Sequence, residues 1–319
     1  MIVVCGEALF DVFATQEKPA AVELSAYQGG SPFNLAIGVA RLGGRASFFG
    51  GLSRDMFGRR LYAALEAEGV GLAAAPRPDA PTALVMVSVN DSGVPVYPFS
   101  GSGTAERAVS LADLERVPVE IQAVNVGSYC MVVEPVASSL RALVERQRGR
   151  SLIVYDPNVR LAIEPRIEVW REALAWMMRR SDVLKVSEED IHALYPNRRV
   201  DTFIGETLDA GVALVVVTRG EHGVIAATRS LATVELSAIP VPVVDTVGAG
   251  DTFQAALLAW LQHSNCLTRR AIEGLGHNEL EAALRFAARA AAITCSRRGA
   301  DLPYMSELAD ATAFALPPS

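Results

Sequence analysis

Short runs of β-branched and apolar residues recur along the chain and constrain its fold more than any other feature. Four such runs occupy residues 124–127, 152–155, 183–186 and 214–217, and amphipathic helical segments separate them. Apolar strands that alternate with helices are typical of a parallel sheet covered by helices on both faces. The sequence therefore predicts an α/β fold with a mostly parallel central sheet.

The two ends of the chain extend this pattern. Residues 3–5 and 46–50 are predicted as strands on either side of an Ala-rich helix at residues 32–42. Two further Ala-rich helices are predicted at residues 252–263 and 278–294. We find no internal repeat and no linker that marks a boundary, so we expect one domain over residues 1–319.

Two stretches do not fit the alternation of strand and helix. Residues 11–28 have no helical period, and residues 83–99 alternate as a strand pair that turns at residues 90–93. We expect these stretches, about 12–30 and 83–102, to form a small sheet that is inserted as a lid into the α/β body.

Charge and hydropathy exclude several classes of partner. The 319 residues include 29 basic and 36 acidic ones, which gives a net charge of −7 and no footprint for nucleic acid or an anionic membrane. The longest apolar runs, such as residues 255–261, are far shorter than the roughly 20 residues that span a bilayer. No signal peptide precedes them, and the four cysteines lack metal-ligand spacing, so we expect a cytoplasmic protein with reduced thiols and a small-molecule partner.

The strongest local motif is Asp-Thr-Val-Gly-Ala-Gly-Asp-Thr-Phe at residues 245–253, which runs directly into an apolar helix. Its small residues allow the N–H groups of Gly248, Ala249 and Gly250 to converge at the positive end of that helix, where an anion such as phosphate binds. Asp251 then accepts a proton from an attacking hydroxyl, and its place at a helix start is expected to lower its pKa. Taken alone, the same residues also suit a tight turn followed by a helix cap.

Other catalytic motifs are missing from the sequence. It contains no GxxxxGK[ST] loop, no protein-kinase signature set and no GxGxxG after the first strand. The four histidines have no Ser and Asp partners at recognisable spacing, and no GxSxG is present. Walker-type NTPases, protein kinases, Rossmann dehydrogenases and triad hydrolases therefore lose support.

Two further groups of residues are suited to binding a polyol. Gly29 and Gly30 precede the helix that carries Asn34, and Asp11 follows the first strand. Paired glycines let a ligand approach the backbone, while a carboxylate and an amide can grip neighbouring hydroxyls. Arg160 lies just past the strand at 152–155, at the edge where open α/β sheets bind ligands.

Together these residues resemble the ribokinase-like (PfkB) family of sugar kinases over nearly the whole chain. The loop at 245–251 resembles the second signature of the family, and residues 29–34 are consistent with its sugar-binding glycines. The resemblance implies a three-layer α/β/α body with a small β-sheet lid, a reaction with ATP and Mg²⁺, and Asp251 as the catalytic base beside an anion hole. It implies sugar-binding roles for the residues Asp11, Gly29, Gly30, Asn34 and Arg160.

The resemblance also implies a nucleotide side of the site. Lys185, Ser187 and Asp190 align with the Asn-x-x-Glu element of the family that organises Mg²⁺ and phosphate, with Ser187 and Asp190 in place of Asn and Glu. The loop that contains Thr218, Gly220 and Gly223 resembles the Thr-x-Gly-x-x-Gly turn near the ATP phosphates.

Two other features of the family bear on this side of the site. A monovalent cation, K⁺, is implied near the backbone carbonyls of Asp245 and Val247. Residues 287–289 lack the Asn that usually approaches adenine, which leaves the adenine contacts open.

The choice of sugar depends on finer similarities. Residues 6–11, 185–187 and 294–301 resemble fructokinases, which favours transfer of phosphate to the 6-hydroxyl of free D-fructose. The alternatives are a 2-keto-3-deoxygluconate kinase, then a ribokinase or nucleoside kinase, then a phosphofructokinase. A sugar- or nucleotide-binding regulator that has lost turnover is the alternative outside the enzymes. The resemblance also suggests a homodimer formed through the lid, across an apolar edge at residues 83–89.

Overall fold

The computed structural model describes residues 1–18, 20–89, 95–96, 99–100, 102–231 and 233–309. Its strands are β1 (Ile2–Cys5), β2 (Leu9–Lys18), β3 (Ala21–Gly29), β4 (Ala46–Phe49), β5 (Leu84–Val89), β6 (Pro95–Val96), β7 (Phe99–Ser100), β8 (Ala123–Gly127), β9 (Leu152–Asp156), β10 (Val183–Ser187), β11 (Leu214–Thr218), β12 (Val224–Thr228) and β13 (Val234–Leu236). Its α-helices are α1 (Ser31–Arg41), α2 (Met56–Ala67), α3 (Val136–Gln147), α4 (Ile167–Met178), α5 (Glu188–Leu194), α6 (Val200–Ala210), α7 (Ala249–His263), α8 (Arg269–Glu273), α9 (His277–Cys295) and α10 (Met305–Ala309). Short 3-10 helices occur at Leu111–Arg116 (η1), Tyr129–Met131 (η2) and Gly220–His222 (η3).

The larger sheet has eight strands in the order β13-β12-β11-β10-β9-β8-β1-β4. The six strands β4, β1, β8, β9, β10 and β11 pair in parallel, as the apolar runs predicted. The strands β12 and β13 add an antiparallel edge beside β11. Each parallel strand is separated from the next by helical segments, because a parallel connection must cross back over the sheet.

Alternate residues of β1 show why the body has three layers. Ile2 and Val4 belong to one apolar cluster, which includes side chains of α1, α7 and α9. Val3 and Cys5 point to the opposite face and belong to a second cluster, with side chains of α3, α4, α5 and α6. Successive side chains of a strand face opposite sides, so this sheet buries both faces under helices. The three-layer α/β/α body that the sequence predicted is confirmed.

The smaller sheet has the order β3-β2-β5-β6, with β7 also paired to β5. It is built from the two stretches that had no α/β pattern, and the turn predicted at residues 90–93 lies outside the described residues. One expectation about this sheet is wrong: residues 83–89 do not form an exposed edge, because β5 lies between β2 on one side and β6 and β7 on the other. The long outer strand is β3, which pairs with β2 alone among the described residues, and the two-residue strands β6 and β7 lie at the other edge.

The helix α1 follows β3 directly and packs along α7, so that the two helices share one layer of the body. Within the described residues, no helix is both long enough and apolar enough to cross a membrane. The predicted helices at 32–42, 252–263 and 278–294 match α1, α7 and α9 to within a few residues, because their apolar faces are buried as their periodicity indicates.

Candidate active site

The candidate residues gather where the parallel strands end. Gly127 pairs in register with Asp156, and Ser187 pairs with Thr218, so the carboxyl ends of β8, β9, β10 and β11 lie along one edge of the large sheet. The start of α7 reaches the same edge, since a Cβ atom built on Gly250 would lie 3.3 Å from Nζ of Lys185 in β10. Ligands of open α/β sheets bind at such an edge.

The loop before α7 is fixed by contacts with a distant segment. Gly248 has a φ of 78°, and a Cβ atom on it would lie 2.6 Å from the Cβ atom of Ala300. The carboxylate of Asp245 accepts hydrogen bonds from the N–H of Val247 at 3.0 Å and from the N–H of Gly299 at 2.9 Å. Glycine is required at position 248 because the backbone there is left-handed and because Ala300 leaves no room for a Cβ atom.

Two of the three predicted anion-binding amides have no partner of their own. The N–H of Ala249 donates to the carbonyl of Thr246 at 3.2 Å, which closes a turn at the helix start. The N–H groups of Gly248 and Gly250 make no hydrogen bond within the part of the chain that the structure describes. These two amides stand at the positive end of the 15-residue helix α7, where an anion is favoured.

Asp251 occupies the first turn of α7 and is held by α1. Its Oδ1 accepts a hydrogen bond from Oγ of Ser31 at 2.6 Å, and its Oδ2 accepts one from Nδ2 of Asn34 at 2.8 Å. The two donors lie in the first turn of α1, so the amino-terminal ends of α1 and α7 converge on one carboxylate. This arrangement leaves each oxygen of Asp251 able to accept a further hydrogen bond.

The pKa of Asp251 differs from the sequence-based expectation. Its position at a helix start predicted a lowered pKa, whereas loss of water around the carboxylate raises the pKa above its ordinary value. The hydrogen bonds from Ser31 and Asn34 and the charges of Arg160 and Lys185 oppose this rise without cancelling it. Burial therefore outweighs the helix end, and Asp251 is a better proton acceptor than the sequence suggested.

The paired glycines before α1 are explained by close approaches of the backbone. A Cβ atom on Gly29 would lie 2.5 Å from Oδ2 of Asp11, and one on Gly30, which has a φ of 107°, would lie 2.7 Å from the carbonyl oxygen of Glu7. Any side chain here would push β2 away from the start of α1. The glycines thus bring Asp11 next to the turn that carries Asn34.

Asp11 and Asp251 share a positive neighbour in Arg160. Burial raises the pKa of Asp11 to about 6, the charge of Arg160 lowers it and the negative charge of Asp251 raises it. The guanidinium of Arg160 is exposed and donates to the carbonyl of Val159 at 3.0 Å, just beyond β9. The structure therefore brings together the predicted base and two of the predicted sugar-binding residues.

Lys185 is buried, which the sequence alone left open. Its side chain is 5% exposed, and its Nζ donates to Oδ2 of Asp156 at 2.8 Å. Burial is the largest single effect and disfavours the charged amine, but the charge and hydrogen bond of Asp156 and the charges of Asp190 and Asp251 together outweigh it, so the pKa of Lys185 is raised. An ammonium group has three protons, so Lys185 keeps donors for a phosphate beside Gly250.

Ser187 and Asp190 are engaged with the protein itself. The hydroxyl of Ser187 caps α5 by accepting the N–H of Asp190 at 3.0 Å, and Oδ1 of Asp190 accepts the N–H of Val159 at 3.1 Å. These bonds tie the start of α5 to the loop that carries Arg160. The predicted nucleotide-side residues thus lie at the same edge as the sugar-side residues.

The turn after β11 completes this side of the edge. Thr218 ends β11, and Gly220 and Gly223 have φ values of 53° and 88° in the tight turn that follows. A Cβ atom on Gly223 would lie 2.0 Å from the carbonyl oxygen of Leu236 in β13, so this glycine packs directly against the neighbouring strand. Thr218 lies opposite Ser187 in register, although no hydrogen bond joins this turn to Asp251 within the described residues.

Three residues of the site were not predicted from the sequence. Ser31 bonds to Asp251, Asp156 pairs with Lys185, and Glu7, whose backbone carbonyl lies close to Gly30, has a buried side chain with its Oε2 unpartnered within the described residues. Burial raises the pKa of Glu7 to about 7. The signal for Asp156 was its place directly after a buried strand, and the signal for Ser31 was its place between the paired glycines and Asn34.

The donor set fits a magnesium ion held mostly by its nucleotide. Burial, and then the charge of Asp156, raise the pKa of Asp190 to about 6, a repulsion that a divalent cation would relieve. No cluster of three or more His, Cys, Asp or Glu side chains suited to a metal occurs in the described ranges. Mg²⁺ usually takes one or two carboxylates, with water and phosphate oxygens as its other ligands, and this site offers that set.

A monovalent cation also fits the loop before α7. The carbonyls of Asp245 and Val247 accept no hydrogen bond from described residues, whereas those of Thr246 and Gly248 accept the N–H groups of Ala249 and Thr252. The side chain of Asp245 is committed to the backbone, so the carbonyl oxygens are the available ligands.

The three-layer body, the loop at the start of α7 and the carboxylate beside it define a kinase that acts on a small hydroxyl compound. The chain belongs to the pfkB family of carbohydrate kinases, whose model matches residues 1–307. This match includes every residue placed at the site above.

Individual relatives agree with the family. The chain is 32% identical over 280 residues to a fructokinase of Rhizobium leguminosarum bv. trifolii, which covers 88% of this chain and 85% of the relative. It is similar in structure to a fructokinase from Xylella fastidiosa solved with bound ATP, with a TM-score of 0.86, 26% identity and coverage of 97% and 96% of the two chains. A fructokinase from Vibrio cholerae O395 solved with fructose, ADP and calcium gives a TM-score of 0.80, 25% identity and coverage of 97% of both chains.

Proposed function

We propose that this chain transfers the terminal phosphoryl group of ATP to the 6-hydroxyl of D-fructose. The observation that carries the proposal is the Asp251 carboxylate, held by Ser31 and Asn34 at the start of α7 beside two amides that bond to none of the described residues. A base next to an anion-binding helix end is what transfer of phosphate to an alcohol requires. The names of the relatives, which are fructokinases, supply the sugar.

The reaction divides among the residues of the chain as follows. Asp11, Asn34 and Arg160 hold the sugar hydroxyls, and Gly29 and Gly30 let the sugar approach the backbone. Asp251 orients the 6-hydroxyl and accepts its proton as the oxygen attacks phosphorus. The proton leaves late in a loose transition state, so orientation matters more than basicity.

The nucleotide side stabilises the charge of the transferred group. The amides of Gly248 and Gly250 and the ammonium group of Lys185 face the phosphoryl oxygens, whereas the amide of Ala249 is engaged by the carbonyl of Thr246. Thr218, Gly220, Gly223 and Ser187 border the rest of the nucleotide. Mg²⁺ near Asp190, when bound, neutralises phosphate charge. K⁺ on the carbonyls of Asp245 and Val247 would stiffen the loop.

The charges around the sugar side favour a neutral sugar. Asp11, Asp251 and Glu7 all lie near the guanidinium of Arg160, whose charge lowers the pKa of each carboxyl, and the charge of Lys185 also acts on Asp251. These three carboxyl groups outnumber the two cations, and a sugar acid such as 2-keto-3-deoxygluconate would add a further negative charge. Fructose adds none and offers hydroxyls that carboxylates accept.

The surroundings of the reaction are also part of the proposal. The smaller sheet acts as a lid over the sugar, and its outer strand β3 exposes Val22, Leu24 and Tyr27, which suits pairing with a second copy of the chain. The free thiols of Cys5, Cys130, Cys266 and Cys295 and the use of ATP suit the cytoplasm.

The deciding experiment measures ADP release from purified protein with Mg-ATP and K⁺ on a panel of sugars. The panel contains fructose, 2-keto-3-deoxygluconate, ribose, adenosine and fructose 6-phosphate, and ³¹P NMR identifies the product. We expect the largest kcat/KM with fructose and a product phosphorylated at the 6-hydroxyl. A higher kcat/KM with another compound would overturn the sugar assignment, and no release with any of them despite ATP binding would overturn the kinase assignment.

A further inference from the structure

The hydroxyl of Ser31 has a single task in the structure. It donates to Oδ1 of Asp251 at 2.6 Å, across 220 residues of sequence. Ser31 is the first residue of α1, but the residue that caps this helix is Gly30, and no side-chain bond caps it. The hydroxyl is therefore not needed by its own helix.

We infer that Ser31 is a positioning residue, dedicated to holding the Asp251 carboxylate in the orientation in which it meets the substrate hydroxyl. The inference rests on the proposed function, in which Asp251 is the base. It assigns Ser31 no contact with the substrate.

Ser31 and Asn34 differ in the number of hydrogen bonds that each can donate, and this difference separates their roles. A serine hydroxyl has one proton, and that of Ser31 is spent on Asp251. The amide of Asn34 has two N–H groups and a carbonyl oxygen, of which one N–H is used by Asp251. Asn34 can thus bind Asp251 and a sugar hydroxyl together, whereas Ser31 has no donor left for a substrate.

The charged and buried surroundings of Asp251 make the hydrogen bond from Ser31 important. Arg160 from the loop after β9 and Lys185 from β10 stabilise its negative charge, while Asp11 from the smaller sheet repels it. Burial favours the protonated form, and the pKa of Asp251 is raised on balance. A hydrogen bond to the ionised form counters burial, so loss of the Ser31 hydroxyl leaves the carboxyl easier to protonate and freer to rotate.

The test compares wild type with Ser31→Ala and Ser31→Thr. The pKa of Asp251 is measured by ¹³C NMR on protein with labelled aspartate, with the signal assigned through Asp251→Asn. The pH profile of kcat/KM for the sugar substrate, as identified by the ADP-release panel, is measured on the same proteins. We expect Ser31→Ala to raise the pKa and the acid limb of the profile by about one unit, and Ser31→Thr to restore both.

Ser110→Ala is the matched control, because Ser110 donates a similar bond to Asp113 at 2.8 Å in η1. We expect the control to leave the pKa of Asp251 and the acid limb unchanged. An unchanged pKa of Asp251 in Ser31→Ala, or a fall in kcat/KM that is equal at every pH, would overturn the inference. Failure of the proposed function looks different: wild type would release no ADP with any sugar, whatever the NMR titration showed.

Discussion

Nζ of Lys185 in β10 and Oδ2 of Asp156, at the carboxyl end of the neighbouring strand β9, lie 2.8 Å apart in the interior. Both side chains are less than 10% exposed, at 5% and 8%. Because neither charge has access to bulk water, each depends on the other, and the pair holds an ammonium group in place beside the start of α7.

Removing one member of this pair is therefore costly. We expect Lys185→Met to lower the free energy of unfolding by about 3–5 kcal/mol, since it leaves the carboxylate of Asp156 buried without its partner. Lys185→Met combined with Asp156→Leu should recover most of this stability without recovering activity. Urea unfolding of the single and double variants measures the first effect, and ADP release measures the second. Equal stability of Lys185→Met and wild type would contradict the expectation.

The role of Asp251 predicts a selective loss of turnover. Asp251→Ala should lower kcat by roughly 10²-fold or more, the usual size of an acid–base contribution, while ATP binding measured by calorimetry is largely retained. The matched control is Asp201→Ala, which removes an exposed aspartate from the first turn of α6. Turnover that survives in Asp251→Ala would rule out this residue as the base.

The two glycines of the loop should respond differently to the same substitution. Gly248→Ala places a Cβ atom 2.6 Å from Ala300 at a φ of 78°, so we expect it to cost about 1–3 kcal/mol of stability and most of the activity. Gly250→Ala has an ordinary helical backbone and meets only Nζ of Lys185, at 3.3 Å, so we expect a smaller loss of stability together with a fall in kcat. Thermal unfolding and kinetics of the two variants check this difference, which equal losses of stability would disprove.

Burial of Glu7 makes the stability of the empty protein depend on pH. Burial raises the pKa of Glu7 to about 7, whereas in the unfolded chain it is close to 4.5. Between these pH values the folded state binds more protons, so the free energy of unfolding falls as pH rises from about 4.5 to 7. Asp11, whose pKa burial raises to about 6, acts in the same direction at slightly lower pH.

Glu7→Gln should remove much of this dependence. We expect the stability of the variant relative to wild type to increase by up to about 3 kcal/mol between pH 5 and pH 7.5. Urea unfolding at four pH values provides the measurement, with Glu172→Gln, an exposed glutamate on α4, as the control. A parallel pH dependence in Glu7→Gln and wild type would show that Glu7 does not titrate in this range.

The proposed dimer has a direct test on β3. Light scattering should give a mass of about twice the 34.0 kDa of one chain at micromolar concentration. Leu24→Asp, which places a charge on the outer strand, should give monomers, while Val119→Asp, at an exposed valine outside this sheet, should not. Monomeric wild type at these concentrations would refute pairing through this sheet.

The fold was largely predictable because its signals are local. Apolar runs such as residues 214–217 are buried on both faces of the large sheet, and the glycine loop at 245–251 opens a helix, as small residues before an apolar run indicate. Local sequence did not reveal which strand of the smaller sheet is outermost. That depends on how β2 and β5 pair in parallel across about 70 residues, and no turn between them sets the register.

The sequence identifies which residues form the candidate site, but it does not reveal how buried each of them is. Asp11, Asn34, Asp251 and Lys185 are identifiable as residue types in motifs, yet the rise in the pKa of Asp251 comes from loss of water. Water is removed by side chains from distant parts of the sequence, as the bond between Ser31 and Asp251 illustrates. A helix position can be read from a sequence, but desolvation requires the packed structure.

The contacts of Gly299 and Ala300 with the loop at Asp245 and Gly248 have a consequence for synthesis of the protein. When residue 260 has emerged from the ribosome, the motif at residues 245–253 is already exposed. The segment around residues 299–300, which fixes the conformation of that motif, has not yet emerged. We therefore expect a nascent chain to form the smaller sheet and most of the strands well before it can bind a nucleotide. Until residues 299 and 300 have emerged, the loop lacks the hydrogen bond to Asp245 and the packing against Gly248 that fix its conformation.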